Sequence, residues 1–280
     1  PTRRRRQRQM CIRDSYSIFS QSIDSNFTLV IDPGHGGKDP GNTGNGYLEK
    51  KIALSIGLKI GERLKKYKNI SVIYTRKTDV FVDLYRRAKI ANDVQADLFI
   101  SIHCDAHTSN AYGAGTFVLG LHANERNFKI AQKENSVIFL EDDYQQKYEG
   151  FDPNNPESVI SLVLMQEDYL DKSIVAANFI QKSFVNRLKR RDRTVKQAGF
   201  LVLRNTFMPS VLVETGFLTN KSEGSYLNSN KGQNEMADAI SDAIINYFKA
   251  LDNPSKYSEN LTRIDKYEFK IQISASKRLL

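Results

Sequence analysis

Apolar residues recur along this chain with two alternating periods. Phe27 to Ile31 (FTLVI) is a short apolar run ending in Asp-Pro-Gly, the pattern of a buried strand. From Leu48 the period changes. Leu48, Ile52, Ile56, Ile60 and Leu64 recur every four residues, with Ala53 and Tyr67 widening the stripe, which predicts an amphipathic helix. Further strands are predicted at 70–74, 98–103, 115–119, 199–203 and 210–214, and a helix over 82–94. A helical face joins Leu170, Ile174, Ala177, Ile180, Phe184 and Leu188, and a last one joins Met236, Ile240, Ala243, Ile244, Tyr247 and Phe248. Strands alternating with helices predict an α/β fold with a mostly parallel central sheet flanked by helices on both faces.

The rhythm breaks at 121–166. This stretch is polar and acidic, with Asn-Pro turns and a helical pattern only over 128–141. A segment of that length inside a compact domain reads as a lid or regulatory insert. The expected organisation is one domain over 27–252 containing this helical and irregular insert. Residues 1–26 are read as a basic, disordered or non-native tail with a possible signal remnant. Residues 253–280 are read as a linker and the start of a truncated second domain, because YEFKIQISAS alternates like a half-exposed strand.

Charge alters this picture little. The formal charge is +9, but six arginines within residues 1–15 stand against only Asp14, so more than half of the excess lies in the tail. A run of like charges usually stays solvated, so no nucleic-acid partner is expected. No apolar run approaches the roughly 18–20 residues that span a bilayer, so no transmembrane segment is expected. Cys11 and Cys104 are the two cysteines, and a disulfide between them is not expected. Cys104 is read as core, on the opposite strand face from His103.

In such sheets, sites form at the carboxyl ends of strands. Asp32-Pro33-Gly34-His35 ends one predicted strand, His103 another and Glu214 a third, so all should meet at one rim. His35, Glu49 in the first turn of the long helix, and His103 form a His-Glu-His set suited to a metal with an open fourth position. A histidine at a strand end is also often purely structural. Glu214 closes the apolar strand PSVLVE, where desolvation would raise its pKa toward a general base's range, although a strand-end carboxylate can equally cap or pair. Arg204 is a weaker candidate for oxyanion or substrate contact, with a solvated loop arginine as the alternative. Asp105 and His107 are cleft-lining candidates, and His122 is assigned no role. GHGGKDPGNTGNG is glycine-rich and follows a strand, but it lacks the GxxxxGK[ST] order of a phosphate-binding loop.

LVIDPGHGGKDPGN, LEKKIALSIGLKIGERL, YTRKTDVFVDLYRRAKIAN, ADLFISIHCDAH and PSVLVETGFLTN follow one another in the order of a known family. Over roughly residues 27–250 the chain resembles the N-acetylmuramoyl-L-alanine amidases of the AmiA/AmiB/AmiC type, the amidase_3 family. The resemblance implies one zinc ion on His35, Glu49 and His103, with Glu214 catalytic. It also implies peptidoglycan as substrate, a periplasmic or cell-envelope location, and a part in daughter-cell separation. It further implies an autoinhibitory helix in the insert, KIAQKENSVIFLEDDY, displaced by an activator protein. Glu134 is the first candidate to block the metal and Glu141 the second. The final YEFKIQISAS is similar to the first strand of SPOR-type peptidoglycan-binding domains. A zinc peptidase acting within the stem peptide and a non-catalytic cell-wall binding protein are the alternatives.

Overall fold

The computed structural model describes residues 25–121, 125–149, 151–155, 158 and 167–252. The readings of residues 1–24, His122 and 253–280 lie outside the described residues.

Six strands form the central sheet: β1 (Phe27–Pro33), β4 (Ile70–Tyr74), β5 (Leu98–Asp105), β6 (Ala114–Leu119), β7 (Asp192–Ala198) and β8 (Ser210–Phe217), with β2 (Thr43–Gly44) and β3 (Tyr47–Leu48) a separate small hairpin. The helices are α1 (Glu49–Leu64), α2 (Leu84–Asp93), α3 (Glu125–Asn135), α4 (Tyr144–Lys147), α5 (Glu167–Asn186), α6 (Leu201–Arg204), α7 (Lys221–Asn228) and α8 (Asn230–Asp252), and Ser136–Leu140 is a 3₁₀ turn. The strand order is β4-β1-β5-β8-β6-β7. β4, β1, β5 and β8 are mutually parallel, whereas β6 runs antiparallel to β8 and parallel to β7. The expected fold class is the observed one.

Period-two alternation divides the central strands between two cores. Leu98, Ile100, Ile102 and Cys104 of β5 join Leu29, Ile31, Val211 and Val213 under α1, α5 and α8. Val30, Phe99, Phe117, Leu119 and Leu212 face the other way, against α2, α6 and the insert residues Ala131, Val137, Ile138, Tyr148 and Phe151. On this second face the apolar residues of β5 and β8 give way, toward the strand ends, to Ser101, His103, Asp105 and Glu214. The site therefore sits where one core runs out.

One predicted strand is corrected. The segment 199–203 is not a strand; Asp192–Ala198 is, and Leu201–Arg204 is a helical turn. β7 is an edge strand with a half-exposed, polar sequence, so hydrophobic pattern could not reveal it. Phe200 to Leu203 is apolar because the turn is buried in the second core. A short continuous apolar run fits either geometry.

Candidate metal centre

His35 leaves β1 in a left-handed conformation with φ of 61°. Two buried arginines hold this turn. Arg76 donates to the carbonyls of Pro33, Gly34 and Lys50 at 2.7–2.9 Å. Arg87 of α2 donates to the carbonyls of Pro33 and His35 at 2.9 Å and to Asp32 Oδ1 at 2.7 Å. Carbonyls turned inward by the tight loop thus meet guanidinium groups instead of water. The opposite side is held by Gly41, φ +68°, where a Cβ would stand 2.5 Å from His35 Cδ2 and 2.8 Å from Glu49 Oε2.

Hydrogen bonds behind the two imidazoles select their tautomers. His35 Nδ1 lies 2.7 Å from Asp39 Oδ2, so Nδ1–H donates there and Nε2 turns inward with its lone pair. His103 Nε2 lies 3.1 Å from Ser101 Oγ, and that hydroxyl donates to Asp32 Oδ2 at 2.7 Å. Ser101 has one proton and spends it on Asp32. His103 Nε2–H is then the donor to Ser101, and Nδ1 is left facing the centre.

Glu49, fully buried at the start of α1, accepts from the backbone N–H of Asn42 at 2.7 Å and of Cys104 at 2.8 Å. Its oxygens lie 3.2 Å from His35 Nε2 and 3.0 Å from His103 Nδ1. Glu134 of α3 comes in from the insert, with Oε2 3.2 Å from His35 Nε2 and 3.1 Å from His103 Nδ1. The ligand atoms of His35, Glu49, His103 and Glu134 all lie within 4.8 Å of one another. His35 Nε2 and Glu134 Oε2 are buried with no hydrogen-bond partner among the described residues. Two lone pairs and two carboxylates aimed at one point are a donor set for a cation, and the residues fit a metal ion of the zinc type.

The electrostatics agree. Burial disfavours a charged His35, but Glu49 and Glu134 outweigh it and hold its pKa well above the usual imidazole value. His103 is raised to about 9, because Glu134 and Glu49 overcome its burial. Burial would raise Glu134, but the two histidines bring it down to about 2. The centre favours positive charge between its carboxylates, and a metal would compete with protons for it.

Glu214 is the cross-strand neighbour of His103, one strand further along the sheet. Both its oxygens are buried, and neither has a hydrogen-bond partner among the described residues. Burial, and then the charges of Asp105, Glu49 and Glu134, push its pKa well above the carboxylate range. Asp105 follows on the same face, raised to about 6 chiefly by burial. His107 lines the open cleft of about 420 Å³ beside Glu134, together with Asp105, Arg126 and Lys129.

Two candidates are not brought to the centre. Glu141 accepts from the backbone N–H of Leu84 at 2.8 Å and from the Tyr148 hydroxyl at 2.8 Å, so it caps α2. Arg204 ends α6, which packs on α2, and it is not among the residues lining the cavities around the histidines. Sequence reasoning placed Asp32 at the rim without a role of its own and missed Ser101, Asp39, Arg76 and Arg87. Only Asp32, in the Asp-Pro-Gly-His turn, and Ser101, two residues before His103, carried a positional signal.

A buried His-Glu-His-Glu set at the strand ends of a mostly parallel α/β sheet, with a partly desolvated glutamate beside it, defines a protein equipped for metal-assisted hydrolysis. The model of the Amidase_3 family, N-acetylmuramoyl-L-alanine amidase, matches residues 29–246, and the chain belongs to that family. It is 35% identical over 235 residues to the N-acetylmuramoyl-L-alanine amidase AmiA of Escherichia coli, covering 82% of this chain and 79% of that protein. It is 32% identical over 228 residues to the N-acetylmuramoyl-L-alanine amidase LytC of Bacillus subtilis, covering 79% of this chain and 36% of LytC. Among solved structures, an N-acetylmuramoyl-L-alanine amidase from Clostridium difficile 630 aligns with a TM-score of 0.61 at 28% identity, over 82% of this chain and 98% of that one. The amidase AmiC2 of Nostoc punctiforme aligns with a TM-score of 0.56 at 30% identity, over 80% and 97% of the two chains.

Proposed function

We propose that this chain hydrolyses the amide joining N-acetylmuramic acid to L-alanine in peptidoglycan, with one zinc ion on His35, Glu49 and His103 and with Glu214 transferring the proton. The observation that carries the reading is the convergence of two tautomer-fixed imidazoles and two carboxylates beside an unpaired, buried Glu214. Zinc supplies Lewis acidity that polarises the amide carbonyl and makes water a better nucleophile. Glu214 takes the proton of the attacking water and passes it to the amide nitrogen as the C–N bond breaks. The products are the muramoyl lactyl carboxylate and the free amine of L-alanine. Burial suits Glu214 to both steps, since it raises the carboxyl's pKa and makes it a stronger base toward the attacking water.

Glu134 fits the fourth position that a catalytic zinc keeps open. With Glu134 beside His35, Glu49 and His103, the docked insert would hold the enzyme latent, and activation would require α3 to leave. A partner protein that binds the insert would do this, as expected of an enzyme for daughter-cell separation. The substrate places the work in the cell envelope, and no described helix is long and apolar enough to cross a membrane.

The test is Glu134→Ala assayed on purified peptidoglycan. We expect peptide release to rise at least tenfold over the parent, with mass analysis finding complete stem peptides and intact glycan. Shortened stems would reassign the enzyme as a peptidase. An unchanged rate in a variant that still binds zinc would remove the autoinhibition.

A further inference from the structure

On the sheet face that carries His103 and Glu214, the next strand places Gly115 opposite Glu214. The strand beyond it, β7, places Lys196 opposite Phe117 on the same face. The Lys196 ammonium lies 5.0 Å over the Phe117 ring, and Arg193 lies 4.9 Å over Phe217. A Cβ on Gly115 would stand 3.4 Å from Lys196 Nζ and 3.3 Å from Arg193 Cβ, so the missing side chain leaves room for the Lys196 ammonium over the strand that faces Glu214. Glu214, Lys196, Arg193 and Asp105 line one chamber, which α3 closes with Arg126 and Ile130. Its free volume is about 10 Å³, room for about one water while the helix is docked. Among the described residues no carboxylate forms an ion pair with Lys196 or Arg193, although Lys196 is half-buried.

An unpaired lysine beside a catalytic acid costs desolvation unless something anionic joins it. The muramoyl side of the scissile bond is neutral, since its lactyl carboxyl is the one tied up in the amide. The anion must then belong to the peptide. Three strand-to-strand spacings separate His103 from Lys196, with β8 and β6 between them, roughly 14 Å between backbones at about 4.8 Å per spacing, less the reach of the lysine. The remainder, on the order of 8–10 Å, is two to three residues of extended peptide at about 3.4 Å each.

Resting on the amidase reading, we propose that Lys196, assisted by Arg193, binds a stem-peptide carboxylate one to two residues beyond the L-alanine. This orients the peptide toward β7, and docked α3 covers the subsite as well as the metal. Lys196 is thus a specificity-determining residue, and Arg126 of α3 is placed as a third cation that leaves with the helix.

The test uses the full chain carrying Glu134→Ala and two synthetic muramoyl peptides, one with that carboxylate free and one with it amidated. We expect the parent to prefer the free acid by about tenfold or more in kcat/KM, mainly through KM, as a charge-assisted contact would give. Lys196→Met should collapse that ratio toward one and Lys196→Arg should restore it. Calorimetric binding of the same compounds should show the same preference without turnover. An equal ratio in parent and Lys196→Met, by turnover and by binding, overturns the proposal. Failure of the parent to cut either compound while binding still favours the acid would overturn the amidase reading and leave the subsite standing.

Discussion

Asp32 accepts from Thr75 at 2.5 Å, Ser101 at 2.7 Å and Arg87 at 2.7 Å, so one buried carboxylate ties β1, the residue after β4, β5 and α2 together behind the candidate metal centre. Arg87→Met would leave that charge buried without its partner, and we expect about 3–5 kcal/mol of destabilisation in denaturant unfolding. The pH dependence has a definite sign. Burial alone would raise the Asp32 pKa, but Arg87 and the hydroxyl donors bring it below the usual value. The unfolded chain therefore takes up the proton first, near pH 4. The stabilisation is complete above that pH and is lost as pH falls through the folded-state pKa. Asp32→Asn should accordingly cost stability at neutral pH and flatten the acid limb of a stability profile. Gly41→Ala should weaken metal binding about 10- to 100-fold in a chelator competition, because its Cβ would press on His35 and Glu49. Glu214→Gln should lower kcat about 10²- to 10⁴-fold with metal content unchanged, as loss of proton transfer predicts.

Among the elements, the insert is the one held by borrowed contacts. Glu141 and the Tyr148 hydroxyl accept the first two N–H groups of α2, those of Leu84 and Tyr85. Asn135 bridges to the carbonyl of Gly199 and the N–H of Leu201 at 2.7 and 2.9 Å. Lys147 pairs with Asp83 at 2.8 Å. These polar clips, with Val137, Ile138 and Phe151 in the second core, keep α3 in place without a long apolar stripe. Glu141→Ala removes a cap, so we expect a loss of about 0.5–2 kcal/mol and faster hydrogen exchange at Leu84 and Tyr85. If the insert blocks the metal, the same change should raise basal activity, though less than Glu134→Ala. The helical pattern over 128–141 was readable beforehand, and it covers most of α3. Which of its two glutamates faced inward was not readable, because Glu134 and Glu141 lie on either side of a 3₁₀ turn that redirects the chain. β7 was unreadable for the opposite reason. An edge strand satisfies its exposed side with water and carries no apolar signature.

At the scale of the molecule, the candidate metal centre draws on the turn after β1, on α1, on β5 and on the insert, so a bound metal should couple to global stability. We expect a chelator to lower the thermal midpoint and abolish activity, and zinc to restore both. A metal at 100 times its dissociation constant adds about 2.7 kcal/mol by mass action. The sequence by itself determined the elements of the buried sheet and the rim where His35, His103 and Glu214 meet. Burial imposes periodicity on residues, and parallel strands deliver their carboxyl ends to one edge. Glu49 was also legible, being the acidic first residue of a strongly periodic helix. Only the tertiary structure decided the rest: that Glu134 joins the His35, Glu49 and His103 cluster, that Glu141 caps α2, that Arg76 and Arg87 brace the histidine turn, and that Lys196 lies over Gly115. Each of those contacts joins residues far apart in the chain. Hydrogen bonds and charge pairs of this kind are set by distance and angle in space, which neither period nor composition encodes.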